Sequence, residues 1–174
     1  MDLDFIKDTN LRGRVEHSIK YIFVLNEDVR NNQSRIFVAE TNRVIVLYTI
    51  SIIEALLHEA YDSIPEHITA TEYKDVSLLK KDYIHKKYQS EEVVIAVRTL
   101  VEKSTRTISF SDLLDFFETR MLKTATVIRL RKLNDLRNSF HLRKGGVVNC
   151  TITHVEEALQ LLDLTLTKIP KFIK

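Results

Sequence analysis

Arg137, Asn138 and His141 are the side chains of this sequence whose types and spacing could do acid–base chemistry on a phosphate. An imidazole titrates near pH ~6.5 and so can pass a proton around neutrality. A guanidinium can hold a phosphate through paired N–H donors and stabilise the extra charge of a phosphoryl transition state. Asn138, next to the arginine, has the groups to fix an orientation or hold an oxygen. In RNA the 2′-OH supplies its own nucleophile, so one base, one acid and one cation would suffice for cleavage without a metal. Arg137 and His141 are four residues apart, about one helical turn, which stacks them on one face of a helix. Alone, R-x-x-x-H is a weak signal. A surface arginine and a helix-end histidine beside the C-terminal dipole share the same spacing.

The element that must position them is residues 128–146, IRLRKLNDLRNSFHLRKGG. Val127, Leu130, Leu133, Leu136 and Phe140 recur every three or four residues, the apolar stripe of a core-facing helix. Gly145 and Gly146 are expected to end it, because glycine enters a left-handed cap at least cost. At about 100° per residue, Arg137 falls about 40° from Leu133, inside the stripe, and His141 at its edge. A guanidinium directed at a core is costly unless it has a partner or lines a cleft. Between positions 120 and 144 stand eight Lys or Arg (Arg120, Lys123, Arg129, Arg131, Lys132, Arg137, Arg143 and Lys144) against one acid, Asp135. The rest of the chain is therefore net acidic. This local excess predicts a phosphate-binding footprint, with Arg143 and Lys144 as candidate RNA-binding residues. The bland alternative is a solvated helix face.

The whole chain has 174 residues and a net charge of only +2, so nucleic-acid affinity would have to come from such a local patch. That length suits one domain spanning 1–174, with an insert at about 66–90. Three Gly and two Pro leave few breakers and favour long helices. The single Cys150 excludes an internal disulfide and fits a reducing cytosol. It follows the helix-ending glycines and reads as structural rather than nucleophilic. MDLDFIKD lacks a basic and then apolar leader, and the apolar-rich run 44–57 is broken by Thr49, Ser51 and Glu54. That run is too short to span a bilayer, so the expectation is a cytoplasmic protein without a membrane.

In chain order, helices are expected over 11–30 and from a Ser34 N-cap to about 63, ended by Pro65. Residues 44–57 are apolar nearly all round, which predicts a helix covered on all sides at the bundle centre. Residues 66–90 have weak periodicity and leave a loop, a short helix or a small β-insert open. Val93, Val94, Val97, Leu100 and Val101 suggest a short amphipathic helix capped by Ser90, with a strand competing because β-branched residues dominate. Ser109 and Asp112 form an acidic capping box, with Ile108 and Leu113 as its hydrophobic staple. That helix is expected to run to about 120 and to lie antiparallel to the next, which starts near 123. A last helix is expected from Thr153, with Glu156 completing a capping box, and Pro170 is expected to end it.

Other chemistries find little support. His58-Glu59 lacks the second histidine of H-E-x-x-H, and Glu54 with His58 has no second pair of matching spacing, so no metal is expected. No P-loop, GxGxxG or G-x-S-x-G occurs, and no cofactor is expected.

The order of these features resembles the HEPN superfamily of all-α domains, many of them RNases. The resemblance covers roughly residues 34–168. It rests on ISIIEALLHEA with Glu54, on the capped SFSDLLDFF, and on LRNSFHLRKG, where Arg137, Asn138 and His141 match the family's Arg–polar…His pattern by residue type. It implies an all-α, mostly antiparallel bundle of about five helices, with Glu54 close to Arg137. It also implies a metal-independent endoribonuclease of the toxin or defence kind, a homodimer bringing two Arg…His motifs to one cleft, and a partner antitoxin protein. In that mechanism His141 handles a proton, Arg137 stabilises the phosphorane and Asn138 positions. One departure stands out. Three residues separate Arg from His here, one fewer than usual in the family, which turns the histidine by about 100°. The alternative is a non-catalytic RNA-binding or protein-interaction module on the same scaffold.

Overall fold

A computed structural model describes residues 3–31, 34–64, 71–78, 87–88, 91–92, 96–102, 108–140 and 149–173. The chain divides into two compact units, Met1–Pro65 with Ser109–Lys174, and Glu66–Ile108.

The first unit is an all-α bundle of five helices: α1 (Thr9–Asn31), α2 (Arg35–Asp62), α3 (Phe110–Glu118), α4 (Thr124–Ser139) and α5 (Ile152–Ile173). Local chemistry sets most of the starts. The Asp8 carboxylate accepts from the backbone N–H groups of Asn10 and Leu11 and so caps α1. The Ser34 hydroxyl caps α2 by accepting from Phe37 N–H at 3.4 Å. Ser109 and Asp112 form the expected reciprocal box at α3, with Ile108 and Leu113 both buried. At α5 the box is shifted. The helix begins at Ile152, and the Thr151 backbone N–H donates to His154 Nδ1 at 3.1 Å, so Thr151 and His154 replace the expected Thr153 and Glu156. Pro170 does not end α5 but lies inside its last turns. There it leaves the Leu166 carbonyl without its helical donor, a defect confined to a helix end.

Directions follow from named contacts. The Lys7 backbone N–H, just before α1, donates to Glu59 near the end of α2, and the Tyr21 and Tyr48 rings meet edge to face. Thus α1 and α2 form an antiparallel hairpin, as do α3 and α4, where Arg131 reaches Ser111 and Asp115. By contrast, α5 runs the same way as α2. Its start lies at Asn42, whose amide donates to the Cys150 carbonyl, and its Phe172 packs on Phe117, beside Phe116 and Tyr61.

The core is centred on α2. Ile45, Val46, Ile50, Ile53, Leu56 and Leu57 have no exposed surface and share the interior with Ile22, Leu113, Phe117, Leu130 and Leu161. Each such side chain contributes roughly 1.5–3 kcal/mol by burial. Within one chain the described residues do not cover α2 on all sides. Leu47 and Tyr48 are 42% and 40% exposed, and Ile36 is 78% exposed. The neighbours within the bundle leave one face of α2 turned outward. By length and composition α2 would also suffice to cross a membrane, a test that core helices pass as well.

The second unit is β-structured. β1 (Thr71–Leu78) pairs antiparallel with β4 (Ala96–Glu102), in register from Thr71↔Glu102 to Asp75↔Arg98, with a shift before Leu78↔Ala96. β2 (Lys87–Tyr88) pairs antiparallel with β3 (Glu91–Glu92). The helix expected over 93–101 is therefore a strand where it is described, and its Ser90 cap lies outside the described residues. Val97, Thr99 and Val101 favour the pleated conformation once β1 supplies a pairing partner. The insert reaches 108 rather than 90.

Candidate functional site

Helix α4 buries Val127, Leu130 and Leu133 and half-buries Leu136. That stripe fixes the rotation of the helix and turns Arg137, in its last turn, toward α2. There the Arg137 guanidinium donates from Nη1 to Glu54 Oε2 at 2.7 Å. The two side chains are 21% and 28% exposed, so the pair is half-buried. The guanidinium carbon also lies 5.9 Å from the Phe110 ring centroid, at the first residue of α3. Arg137 thus joins α2, α3 and α4, and Glu54 supplies the partner that a cation inside an apolar stripe requires.

Helix α4 ends at Ser139, with Phe140 as its C-cap, earlier than Gly145. The Phe140 ring lies under Arg43 of α2, 5.9 Å from the guanidinium carbon. Arg43 in turn donates to Glu40 at 2.7 Å. Two α2 side chains therefore hold the last turn of α4: Glu54 by charge, and Arg43 by cation–π contact with the ring. The Asn138 residue is half-buried, and its side chain makes no hydrogen bond among the described residues. His141, Arg143 and Lys144 lie outside the described residues.

Three neighbours, Arg43, Asn134 and Asn42, were not singled out by the sequence. Arg43 carries no signal beyond a charge just before the apolar run 44–57. Asn134 stands one turn before Arg137, and its Oδ1 is buried without a hydrogen bond among the described residues, as is Oδ1 of Asn42. Buried carbonyl oxygens without donors are uncommon and mark places where a ligand or water could bind. Only a three- or four-residue spacing from Arg137 could have pointed to Asn134. Cys150, beside Asn42, is buried, and desolvation pushes its thiol up to about 11, with Arg43 opposing. A thiol so protonated is no nucleophile near neutrality.

The basic run of α4 proves to be largely paired. Arg129 forms a fork with Glu157, with Nη2 at 2.8 Å from Oε2, and reaches Gln160. Its hydrogen bond holds the Glu157 carboxyl below the usual carboxylate range and raises the guanidinium. Arg131 pairs with Asp115 and donates to Ser111. The three α4 arginines therefore tie the helix to three different neighbours: Arg129 to α5, Arg131 to α3 and Arg137 to α2. The expected footprint of free positive charge shrinks accordingly, because its counter-charges come from other helices. Among the described residues, no three His, Cys, Asp or Glu side chains converge as a metal site would require. Comparisons with protein-family models, with curated proteins and with solved structures give no match for this chain.

Proposed function

We propose that the chain is a HEPN-like, metal-independent endoribonuclease of the toxin or defence kind. The observation that carries the reading is the Arg137–Glu54 pair, an 83-residue-distant contact that the family resemblance calls for. In this reading Glu54 holds the Arg137 guanidinium at the end of α4, and the donors it leaves open stabilise the charged phosphorane. His141 takes the 2′-OH proton or supplies the proton of the leaving oxygen. Asn138 positions the phosphate, and Arg143 and Lys144 hold the strand. The products are a 2′,3′-cyclic phosphate and a 5′-OH. The outward apolar face of α2 is the surface through which two copies would pair, and a separate antitoxin protein would restrain the activity.

The test is cleavage of total cellular RNA by purified protein, with Arg137→Ala and His141→Ala compared. Each change is expected to lower the rate on the order of a hundredfold, and the double variant little further, since groups acting as a unit are non-additive. EDTA is expected to leave the rate unchanged.

A second reading, a non-catalytic RNA-binding or protein-interaction module, is favoured by one specific observation. Arg137 is already neutralised by a carboxylate, as Arg129 and Arg131 are. Intact RNA in every assay, together with RNA binding undiminished in His141→Ala, establishes this second reading in place of the first.

A further inference from the structure

The turn between α3 and α4 and the last turns of α5 border an open concavity of about 240 Å³, lined by Arg120, Met121, Thr167, Lys168, Lys171 and Phe172. Three of these six are cations and none is an acid. The volume is below the roughly 300–1,000 Å³ of pockets for drug-sized ligands, so the space suits a small group rather than a cofactor.

Arg120 is ordered there by neutral groups. It donates from Nη1 to the Phe116 carbonyl at 2.7 Å, and its guanidinium carbon lies 4.2 Å from the Phe116 ring centroid. Phe116 is itself held edge-on by Tyr61 and Phe117. Arg129, Arg131 and Arg137 all meet carboxylates, whereas Arg120 meets none among the described residues. A stacked guanidinium keeps its charge and its remaining donors for a ligand. Lys168 and Lys171, three residues apart, share one face of α5 and form no ion pair among the described residues. Cations in a last helical turn commonly just complement the helix dipole. That accounts for Lys171 but not for Lys168, which stands before the last turn, nor for Arg120, which arrives from another element and completes a pocket with no acid.

We propose that this pocket binds a phosphate group, through the Arg120 fork, the Lys168 and Lys171 ammoniums and the Thr167 hydroxyl. The choice of RNA as the bearer of that phosphate rests on the endoribonuclease reading; the site itself does not. From the start of α4 to Arg137 the helix rises about 20 Å at 1.5 Å per residue. A strand engaged at Arg137 would thus be held at a second, distant backbone phosphate, a contact that positions without reading sequence.

The test is a ¹H–¹⁵N NMR titration of the full chain, first with inorganic phosphate and separately with a short single-stranded oligoribonucleotide, against chloride at equal ionic strength. Phosphate is expected to move the amides of Arg120, Met121, Thr167 and Lys168, and chloride is not. The Lys168→Glu/Lys171→Glu variant is expected to lose affinity by about tenfold or more, given the loss of two charge-assisted contacts. Arg120→Lys, which keeps the charge and loses the stacked fork, is expected to lose several-fold with an unchanged circular dichroism spectrum. Arg14→Glu, a charge reversal on α1, serves as the control and is expected to keep binding. Shifts of these amides by the oligoribonucleotide assign the phosphate to a strand, and shifts by inorganic phosphate alone assign it to a free phosphate-bearing molecule. Both outcomes support the pocket. The proposal is overturned if neither probe moves these amides more than chloride does, or if Arg14→Glu weakens binding as much as the pocket variants. The readout is binding, so a protein that cuts no RNA leaves this result standing.

Discussion

Arg137 brings a full charge into a half-buried position, and Glu54 is the group that makes the position tenable. Removing one partner strands the other. Arg137→Ala is expected to destabilise the fold by about 1–3 kcal/mol in urea melts, because the Glu54 carboxylate loses its charged donor. Glu54→Gln keeps an acceptor oxygen and is expected to cost less. If Arg137 also stabilises a phosphorane, Glu54→Gln lowers cleavage less than Arg137→Ala does, since Glu54 orients and does not touch the phosphate. Cys150 offers a second check at this scale. Its thiol holds its proton up to about pH 11 in the folded chain, above the ordinary thiol value of 9.0. A thiol reagent at pH 8 is therefore expected to label Cys150 slowly until denaturant is added. The folded state binds the proton more tightly, so stability is retained below pH 9 and falls as pH rises from there toward 11.

Helix α4 is a strut held by three arginines, each anchored on a different helix. The Arg129–Glu157 fork is about one third exposed at both ends. Its contribution is therefore screened, on the order of 0.5–1 kcal/mol at neutral pH. Because Arg129 lowers the Glu157 carboxyl in the folded state, that contribution is present above the usual carboxylate range. It is lost as pH falls through the depressed value. Glu157→Gln is expected to flatten the acid limb of a stability–pH curve, read by thermal melts between pH 3 and 7 (values chosen to bracket the ordinary carboxylate pKa of about 4.3). The caps make a cleaner test of local chemistry. Ser109→Ala removes the hydroxyl that accepts from Asp112 N–H, and is expected to cost about 1 kcal/mol, whereas Ser109→Gly costs a few tenths.

Across the molecule, helices cover more than half of the 174 residues, and a circular dichroism spectrum is expected to be dominated by helix. The outward face of α2 sets the expectation for assembly. Ile36, Phe37, Leu47 and Tyr48 expose apolar surface along one side of the helix that also supplies the core. Light scattering at micromolar concentration is expected to show a dimer. Leu47→Glu, a charge placed on that face, is expected to shift it to monomer without unfolding it. A monomer in the unaltered chain would leave a composite cleft without its second half.

What the residues determine by themselves here is local. The scarcity of Gly and Pro, the 3.6-residue stripe from Val127 to Leu136, and the Ser34 and Ser109 caps are short-range features, and each is legible because cause and effect lie within a turn or two of chain. The start of α5 was not legible, since Thr151 and Thr153 both stand three residues before a side-chain acceptor and the commoner glutamate box was not the one formed. Residues 96–102 were ambiguous for a different reason. A short β-branched segment becomes a strand when a partner is present, and that partner, 71–78, stands well back in the chain. Above all, the charges could not be read in advance. The sequence shows Arg129, Arg131 and Arg137 as a basic run. Only the packing of α4 against α5, α3 and α2 brings Glu157, Asp115 and Glu54 to them, across 28, 16 and 83 residues. Whether a cation is free to meet a phosphate is decided by which carboxylate the fold delivers, and that is a long-range contact.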